Sequence, residues 1–328
     1  MTEQSALRAI VDLLPRYLRT RRVGWTPLPE MQHRVALPEY VLLRGVASEL
    51  DDAPISYAEL RARLFNPYNT IVPILERLPR LGELGLLEQT GDRYSLSAAG
   101  RELLTRAERS ANDYAAGRMR LPADELERLA STLHEIAERL RRATEPAAKA
   151  HQQRIPRLRR FDERTTPPIE LEYAVYALWM ARDDAHNAAW RAAGFQGPSL
   201  DLLSRVWAGE ASTGAELVNS TRDSMRSEDV DALLGELERD GLLTRQADSV
   251  TLTARGREVR DRIEQETDRV YFAPWPAIDA GWARSRLEAL VEGLIAPIPA
   301  PGTPGTPAPQ APQAPQAQAW GAWGERSW

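Results

Sequence analysis

The sequence predicts a mainly α protein with short β-hairpin wings, built as one module used twice. Three observations carry this expectation. GLLEQTGDRYSLSAAGRE at residues 85–102 returns as GLLTRQADSVTLTARGRE at 241–258, 156 positions later. Apolar residues recur at helical spacing before each copy, and the copied stretch itself alternates as a strand does. The length of 328 residues suits about two domains of ordinary size.

The second copy is the clearer one. Leu202, Leu203, Val206 and Trp207 share a helix face. Thr213-Gly-Ala-Glu-Leu217 opens a short second helix. Ser227 is placed to cap a third, with Glu228 and Asp229 at the positive end of its dipole. Val230, Leu233, Leu234 and Leu237 form the buried stripe of that helix, and Gly241 ends it. Leu242-Leu-Thr and Ser249–Thr253 read as two strands around a turn at Gln246-Ala-Asp248, and a fourth helix begins at Ala254.

The first copy gives the same order. Tyr40–Leu50 reads as a helix, Ser56 caps the next, and Ile74, Leu78 and Leu81 answer Val230, Leu234 and Leu237. Pro79 is expected to kink or shorten the third helix, because proline lacks the amide proton and clashes with the preceding turn. Gly85-Leu-Leu opens a hairpin that turns at Thr90-Gly-Asp92 and returns through Arg93–Ser97. Ala58-Glu-Leu60 faces Ala215-Glu-Leu217 at an offset of 157, so one residue is lost between helices two and three.

This pattern resembles the winged helix-turn-helix, and within it the MarR-type transcriptional regulators. The resembling residues are the joints Leu81–Leu87 and Leu237–Leu243 and the ends Leu96-Ser-x-x-Gly100 and Leu252-Thr-x-x-Gly256. Residues 121–129 are similar to the family's last long helix, and residues 183–194 to a MarR-like group of actinobacteria. The resemblance covers about residues 1–295. It implies two tandem winged helix-turn-helix domains with long flanking helices, Ala6–Arg21 with Leu121–Arg142 and Ile169–Ala193 with Trp282–Leu294. Two arrangements fit: a fused pseudo-dimer on one shared helical body, which is the more economical, or tandem domains that do not pack as a dimer. The expected divisions are a first repeat at 1–142, a basic linker at 143–168, a second repeat at 169–295 and a disordered tail at 296–328.

In such a fold the third helix enters the major groove of double-stranded DNA and the wing grips phosphates. The candidate DNA-binding residues are Tyr68, Asn69, Thr70, Arg77, Arg80 and Arg93 in the first repeat. Their counterparts in the second are Arg222, Arg226 and Arg245. The alternative for all of them is a solvated surface. The second repeat is the weaker reader, because residues 198–268 carry 9 arginines against 16 acids, and carboxylates repel phosphates. Basic residues gather instead at 141–164 and 16–22, either as arms along a phosphate backbone or as a solvated linker.

The family resemblance also implies a small aromatic or lipophilic effector. Trp179, Trp190, Trp207 and Trp275 are the candidate pocket residues, with ordinary core packing as the alternative. The four histidines are scattered, and only Asp183 and His186 share a helix turn, so neither metal nor cofactor is expected. No cysteine, phosphate-cradling loop or nucleophile elbow is present, and no enzyme activity is expected. The N-terminus does not read as a secretory signal and no apolar run suits a membrane span, so a cytoplasmic location is expected. The Pro/Ala/Gln-rich tail ends in Trp320, Trp323 and Trp328, candidates for docking a protein partner. A further homo-oligomer is compatible with these features. The main expectation is a DNA-binding regulator; the alternative is an interaction or ligand-sensing module that no longer touches DNA.

Overall fold

The structure, a computed structural model, describes residues 3–25, 28, 35, 37–50, 53–64, 68, 70 and 73–295. Among the described residues the chain is mainly helical, with two small antiparallel sheets. The first lobe contains α3 (Leu37–Glu49), β1 (Ile55–Ser56), α4 (Tyr57–Leu64), a 3₁₀ turn (Pro73–Arg77) and α5 (Leu78–Glu83). It continues with β2 (Leu87–Thr90), β3 (Arg93–Leu96) and α6 (Ala98–Ala116). The second lobe follows the same order in α10 (Gly197–Trp207), α11 (Gly214–Thr221), α12 (Ser227–Arg239), β4 (Leu243–Gln246), β5 (Ser249–Leu252) and α13 (Ala254–Phe272).

The repeated sequence encodes one joint, made twice. Gly85 and Gly241 each take a φ of +70°, the left-handed conformation that releases a helix into a strand. Ser97 Oγ donates to Gly85 O at 2.6 Å and accepts the amide of Gly100 at 2.9 Å. Thr253 Oγ1 does the same with Gly241 O at 2.7 Å and Gly256 at 2.9 Å. One hydroxyl therefore caps the fourth helix and ties it to the end of the third. Gly100 and Gly256 sit so close to the preceding chain that a Cβ on either would lie 2.1 Å from the carbonyl oxygen of Leu86 or Leu242.

The second helices also match. Ser56 accepts the amide of Glu59, whose carboxylate accepts from the Ser56 backbone; Thr213 and Glu216 form the same capping box. In the first lobe β1 adds a third strand, in the order β1-β3-β2; in the second it shrinks to a single bridge, Thr213 to Ser249. α4 and α11 stand 157 residues apart and the hairpins 156, which puts the lost residue between the second and third helices.

Proline explains most departures from the expected boundaries. The third helix of the first lobe is cut into the 3₁₀ turn and α5, with Pro79 in the first turn of α5, where its missing amide costs nothing. The expected helix over 6–21 is two, α1 (Glu3–Val11) and α2 (Leu13–Thr20), because the chain restarts so that Pro15 falls near a helix start. Ser227 does not cap α12: Arg226 holds that position without a side-chain cap bond, and Ser227 Oγ turns to Glu228.

A helical body joins the lobes. Its members are α1, α2, α7 (Ala123–Arg142), α9 (Pro167–Ala192) and α14 (Ala280–Ile295), with the end of α13. α9 is buried on nearly every side and packs on α7 and α13, while α14 closes against α1 and α2. One core results: Ile10 and Leu14 from the start of the chain lie with Leu133, Val175, Leu178, Leu287 and Val291. Each such side chain stabilises the fold by about 1.5–3 kcal/mol. Separate smaller cores fill the lobes, around Leu43, Leu60 and Leu78 in the first and Leu203, Leu217 and Leu234 in the second.

Candidate nucleic-acid interface

The third helix of the first lobe buries Leu75, Leu78 and Leu81 and turns Arg77 and Arg80 to solvent. Arg77 donates to Glu39 at 2.9 Å and Arg80 to Glu83 at 2.9 Å. Arg93 donates to Pro54 O at 3.1 Å and lies 3.5 Å from Glu59. The exposed pairs of Arg80 and Arg93 hold their guanidinium groups by little, about 0–1 kcal/mol, so a phosphate competes with those carboxylates, whereas the Glu39 carboxylate that holds Arg77 is buried.

Two of the expected readers face inward. Tyr68 points into the second half of the chain, where its hydroxyl meets Trp190 and Asn187. Thr70 bonds to Ser224 and Asp229 of the second lobe. Their contacts across the chain, invisible to local pattern, are the reason. Asn69 lies outside the described residues.

The second lobe is less suited to a polyanion. Glu228, Asp231, Glu236 and Asp240 of α12 and its end are exposed. The wing cation Arg245 donates to Glu238 at 3.0 Å and to Asp231 at 2.8 Å. Hydrogen bonds from the Arg245 side chain and backbone lower the Glu238 carboxyl, so this clamp is charged on both sides at neutral pH. Arg222 is exposed beside Asp223, and Arg226 is exposed at the cap of α12.

The basic stretch between the repeats is neither an arm nor a solvated linker. It folds back as a clasp, with a short helix α8 (Arg154–Arg159) packed on α3. Arg154 pairs with Glu49, and Arg157 and Arg160 donate to the carbonyls of Ala47, Ser48 and Leu50 at the end of α3. Lys149 caps the end of α7 through the carbonyls of Leu140, Arg141 and Ala143. Cations belong at these negative helix ends. Near the start, Arg21 pairs with Glu172 and Arg22 with Glu108.

The four tryptophans do not share a pocket. Trp190 is buried and donates to Asn187 at 3.0 Å. Trp207 donates to Asp261 at 2.8 Å beneath the Arg260 guanidinium. Trp179 packs on the body core, and Trp275 stacks edge-on with Tyr271 and Phe272. A cavity of about 810 Å³ lies elsewhere, between the end of α9, the start of α10, α12 and α13. Ala189, Phe195, Leu233, Leu237, Val259 and Ile263 give it an apolar side, and Arg255, Arg262, Glu236 and Glu266 a charged one. Its lining comes from four elements with no common spacing, so no sequence signal marks it. Trp320, Trp323 and Trp328 lie outside the described residues.

Polar groups line α9 near Tyr68. Asp184 accepts the amides of His151 and Gln152 and the His151 ring. Burial lowers His186 to about 3, so it is neutral, and its Nδ1 lies 3.0 Å from the Thr267 hydroxyl. No His/Cys/Asp/Glu group among the described residues is arranged to hold a metal. Asp183 has a buried Oδ2 with no hydrogen-bond partner, and burial pushes its carboxyl up to about 7. The folded state then holds this proton where the unfolded chain has lost it. Stability therefore falls as pH rises from about 4 to 7, by up to about 4 kcal/mol for this group. Asp183→Asn is expected to raise the urea midpoint at pH 8 and to leave it unchanged at pH 4; equal midpoints at pH 8 contradict this.

Residues 157–302 match a helix-turn-helix family. No curated protein and no solved structure matches the chain. The match spans the second lobe and its flanking helices, and it supports a DNA-binding helix-turn-helix domain there. No helix among the described residues is long and apolar enough to cross a membrane.

Proposed function

We propose that the chain is a DNA-binding transcriptional regulator in which both lobes are winged helix-turn-helix modules of MarR-like type, paired within one polypeptide as a pseudo-dimer. The observation that carries this is the joint at Gly85–Gly100, which repeats bond for bond the joint at Gly241–Gly256 inside the helix-turn-helix match. The shared core of α1, α2, α7, α9 and α14 supports pairing, since it draws on both ends of the chain. The repeats take residues 1–142 and 169–295, the clasp 143–168, and the tail 296–328. The first lobe is the main reader, through Arg77, Arg80 and Arg93. The cavity against α12 is the proposed seat of a small effector with an apolar body and a charged group.

The test is fluorescence anisotropy with a labelled duplex over a range of salt. Binding is expected to weaken linearly in log salt. Arg77→Ala and Arg80→Ala are each expected to weaken it and to reduce the slope by about one. An unchanged slope in the double variant removes these residues from the interface.

A second reading is favoured by the pairing of Arg77, Arg80 and Arg245 with carboxylates of their own lobes. In it the lobes no longer touch DNA, and the Trp-rich tail docks a protein partner. It requires no duplex binding even at low salt, and a partner recovered by the full chain but not by one with Trp320, Trp323 and Trp328 replaced by alanine.

A further inference from the structure

The cavity between the end of α9, α12 and α13 suits an occupant of mixed character. Phe195, Leu233 and Val259 line it and are only partly buried, so each keeps apolar surface at its wall. Three charged residues also line it: Arg255 at the start of α13, and Glu236 and Asp240 one turn apart at the end of α12. All three are exposed, and none has an ion-pair partner among the described residues. A volume of about 810 Å³ is the size of a site for a compact organic body.

One segment of the chain outside the described residues matches this chemistry. Residues 296–319 contain no charge and no aromatic ring, whereas residues 320–328, Trp-Gly-Ala-Trp-Gly-Glu-Arg-Ser-Trp, combine three indoles with one acid and one arginine. An aromatic side chain of this kind buries about 150–250 Å² when it docks. Glu325 complements Arg255, and Arg326 complements Glu236 and Asp240. The reach is sufficient. α14 ends where the Leu294 carbonyl accepts from Arg118, just past the end of α6. From there residues 296–319 can span up to about 75 Å, at the roughly 3.1 Å per residue of a polyproline helix. That is nearly twice the length of α9, whose 26 residues extend about 39 Å. We infer that the tip at 320–328 occupies the cavity of its own chain as a built-in ligand, with an indole on the apolar wall and ion pairs to Arg255 and to Glu236 or Asp240. The inference rests on the reading of this cavity as a binding seat and is independent of whether the lobes bind DNA. A diffusible effector must then displace a tip held at an effective concentration of up to roughly 1 mM.

The first probe is a synthetic peptide of residues 316–328, labelled at its first residue and followed by fluorescence anisotropy. The second is anilinonaphthalene sulfonate, which has an apolar body and one negative charge. The proteins are the parent, the full chain with Trp320, Trp323 and Trp328 replaced by alanine, and that triple variant with Ala193→Trp added. Ala193 lines the cavity and is exposed at the end of α9, so a ring there fills the space without entering the core. The peptide is expected to bind the triple variant at least about fivefold more tightly than the parent, whose own tip competes. Ala193→Trp is expected to remove that binding. Arg255→Glu in the triple variant is expected to weaken it by about threefold, and unchanged affinity there overturns the ion pair. Equal peptide affinity for parent and triple variant, or binding to neither, overturns the built-in ligand. The seat itself still stands if the sulfonate probe binds and is lost on Ala193→Trp. If Ala193→Trp changes neither probe, the cavity is not a seat and the inference falls with it.

Discussion

Gly100→Ala and Gly256→Ala are expected to be among the most damaging single substitutions in the chain. In each, the added Cβ lies 2.1 Å from a backbone carbonyl oxygen, of Leu86 or of Leu242, and 3.0 Å from the carbonyl carbon. No rotamer relieves this, because both partners are main chain. The fourth helix must retreat from the strand, which breaks the cap from Ser97 or Thr253. The cost should reach or exceed the top of the roughly 1–3 kcal/mol range for overpacked cores. Gly235→Ala is the control. It lies within α12, its Cβ would meet only the end of Arg245 at 3.8 Å, and the helix should gain up to about 1 kcal/mol. Urea denaturation followed by circular dichroism measures all three. Parent-like midpoints for Gly100→Ala and Gly256→Ala would refute the close approach.

The second large effect is expected at Glu108. This fully buried carboxylate of α6 accepts from Arg44 at 2.7 Å, Tyr40 at 2.8 Å and Arg22 at 3.1 Å, so it binds α3 and the end of α2 to α6. Burial alone would raise its carboxyl, but the guanidinium groups of Arg44 and Arg22 overcome burial and hold it well below the usual carboxylate range. Glu108→Ala removes the buried carboxylate that Arg44 and Arg22 share, at a cost of about 3–5 kcal/mol. Because the folded state keeps the group ionised, its contribution is complete above the unfolded carboxylate range and fades as pH falls toward strong acid. The stability gap between parent and Glu108→Ala should therefore be widest near neutral pH and narrow below about pH 4. A gap that does not change with pH would assign the loss to packing instead of charge.

What could be read in advance was what the chain states locally. The hairpin joint is spelled out in eighteen consecutive residues, twice, and the bonds of Ser97 and Thr253 follow from that spelling. Pro79 announced a shortened helix for a reason internal to its own backbone. The misread features depend on partners far along the chain. Arg157 and Arg160 looked like a free basic run because the carbonyls they cap, of Ser48 for Arg157 and of Ala47 and Leu50 for Arg160, lie more than a hundred positions earlier. Tyr68 looked like a reader because nothing local points to Trp190. Aromatic content pointed to a tryptophan pocket, whereas the cavity contains no tryptophan among its lining residues, which are mostly aliphatic and charged and carry no compositional mark. The burial of α9 on nearly all sides was equally hidden, since it depends on helices from both ends of the sequence.

The single core drawn from both chain ends has a consequence for dilution. Two separate subunits fall apart when their concentration drops below their dissociation constant, and their stability follows protomer concentration. Lobes tethered through a common interior escape that law, because each meets the other at a fixed effective concentration. In the proposed pseudo-dimer, pairing of the lobes would not depend on how many molecules a cell holds. Nor must the halves remain alike, since no patch has to recognise its own twofold-related copy, and one lobe is at liberty to accumulate carboxylates while its sibling keeps its arginines.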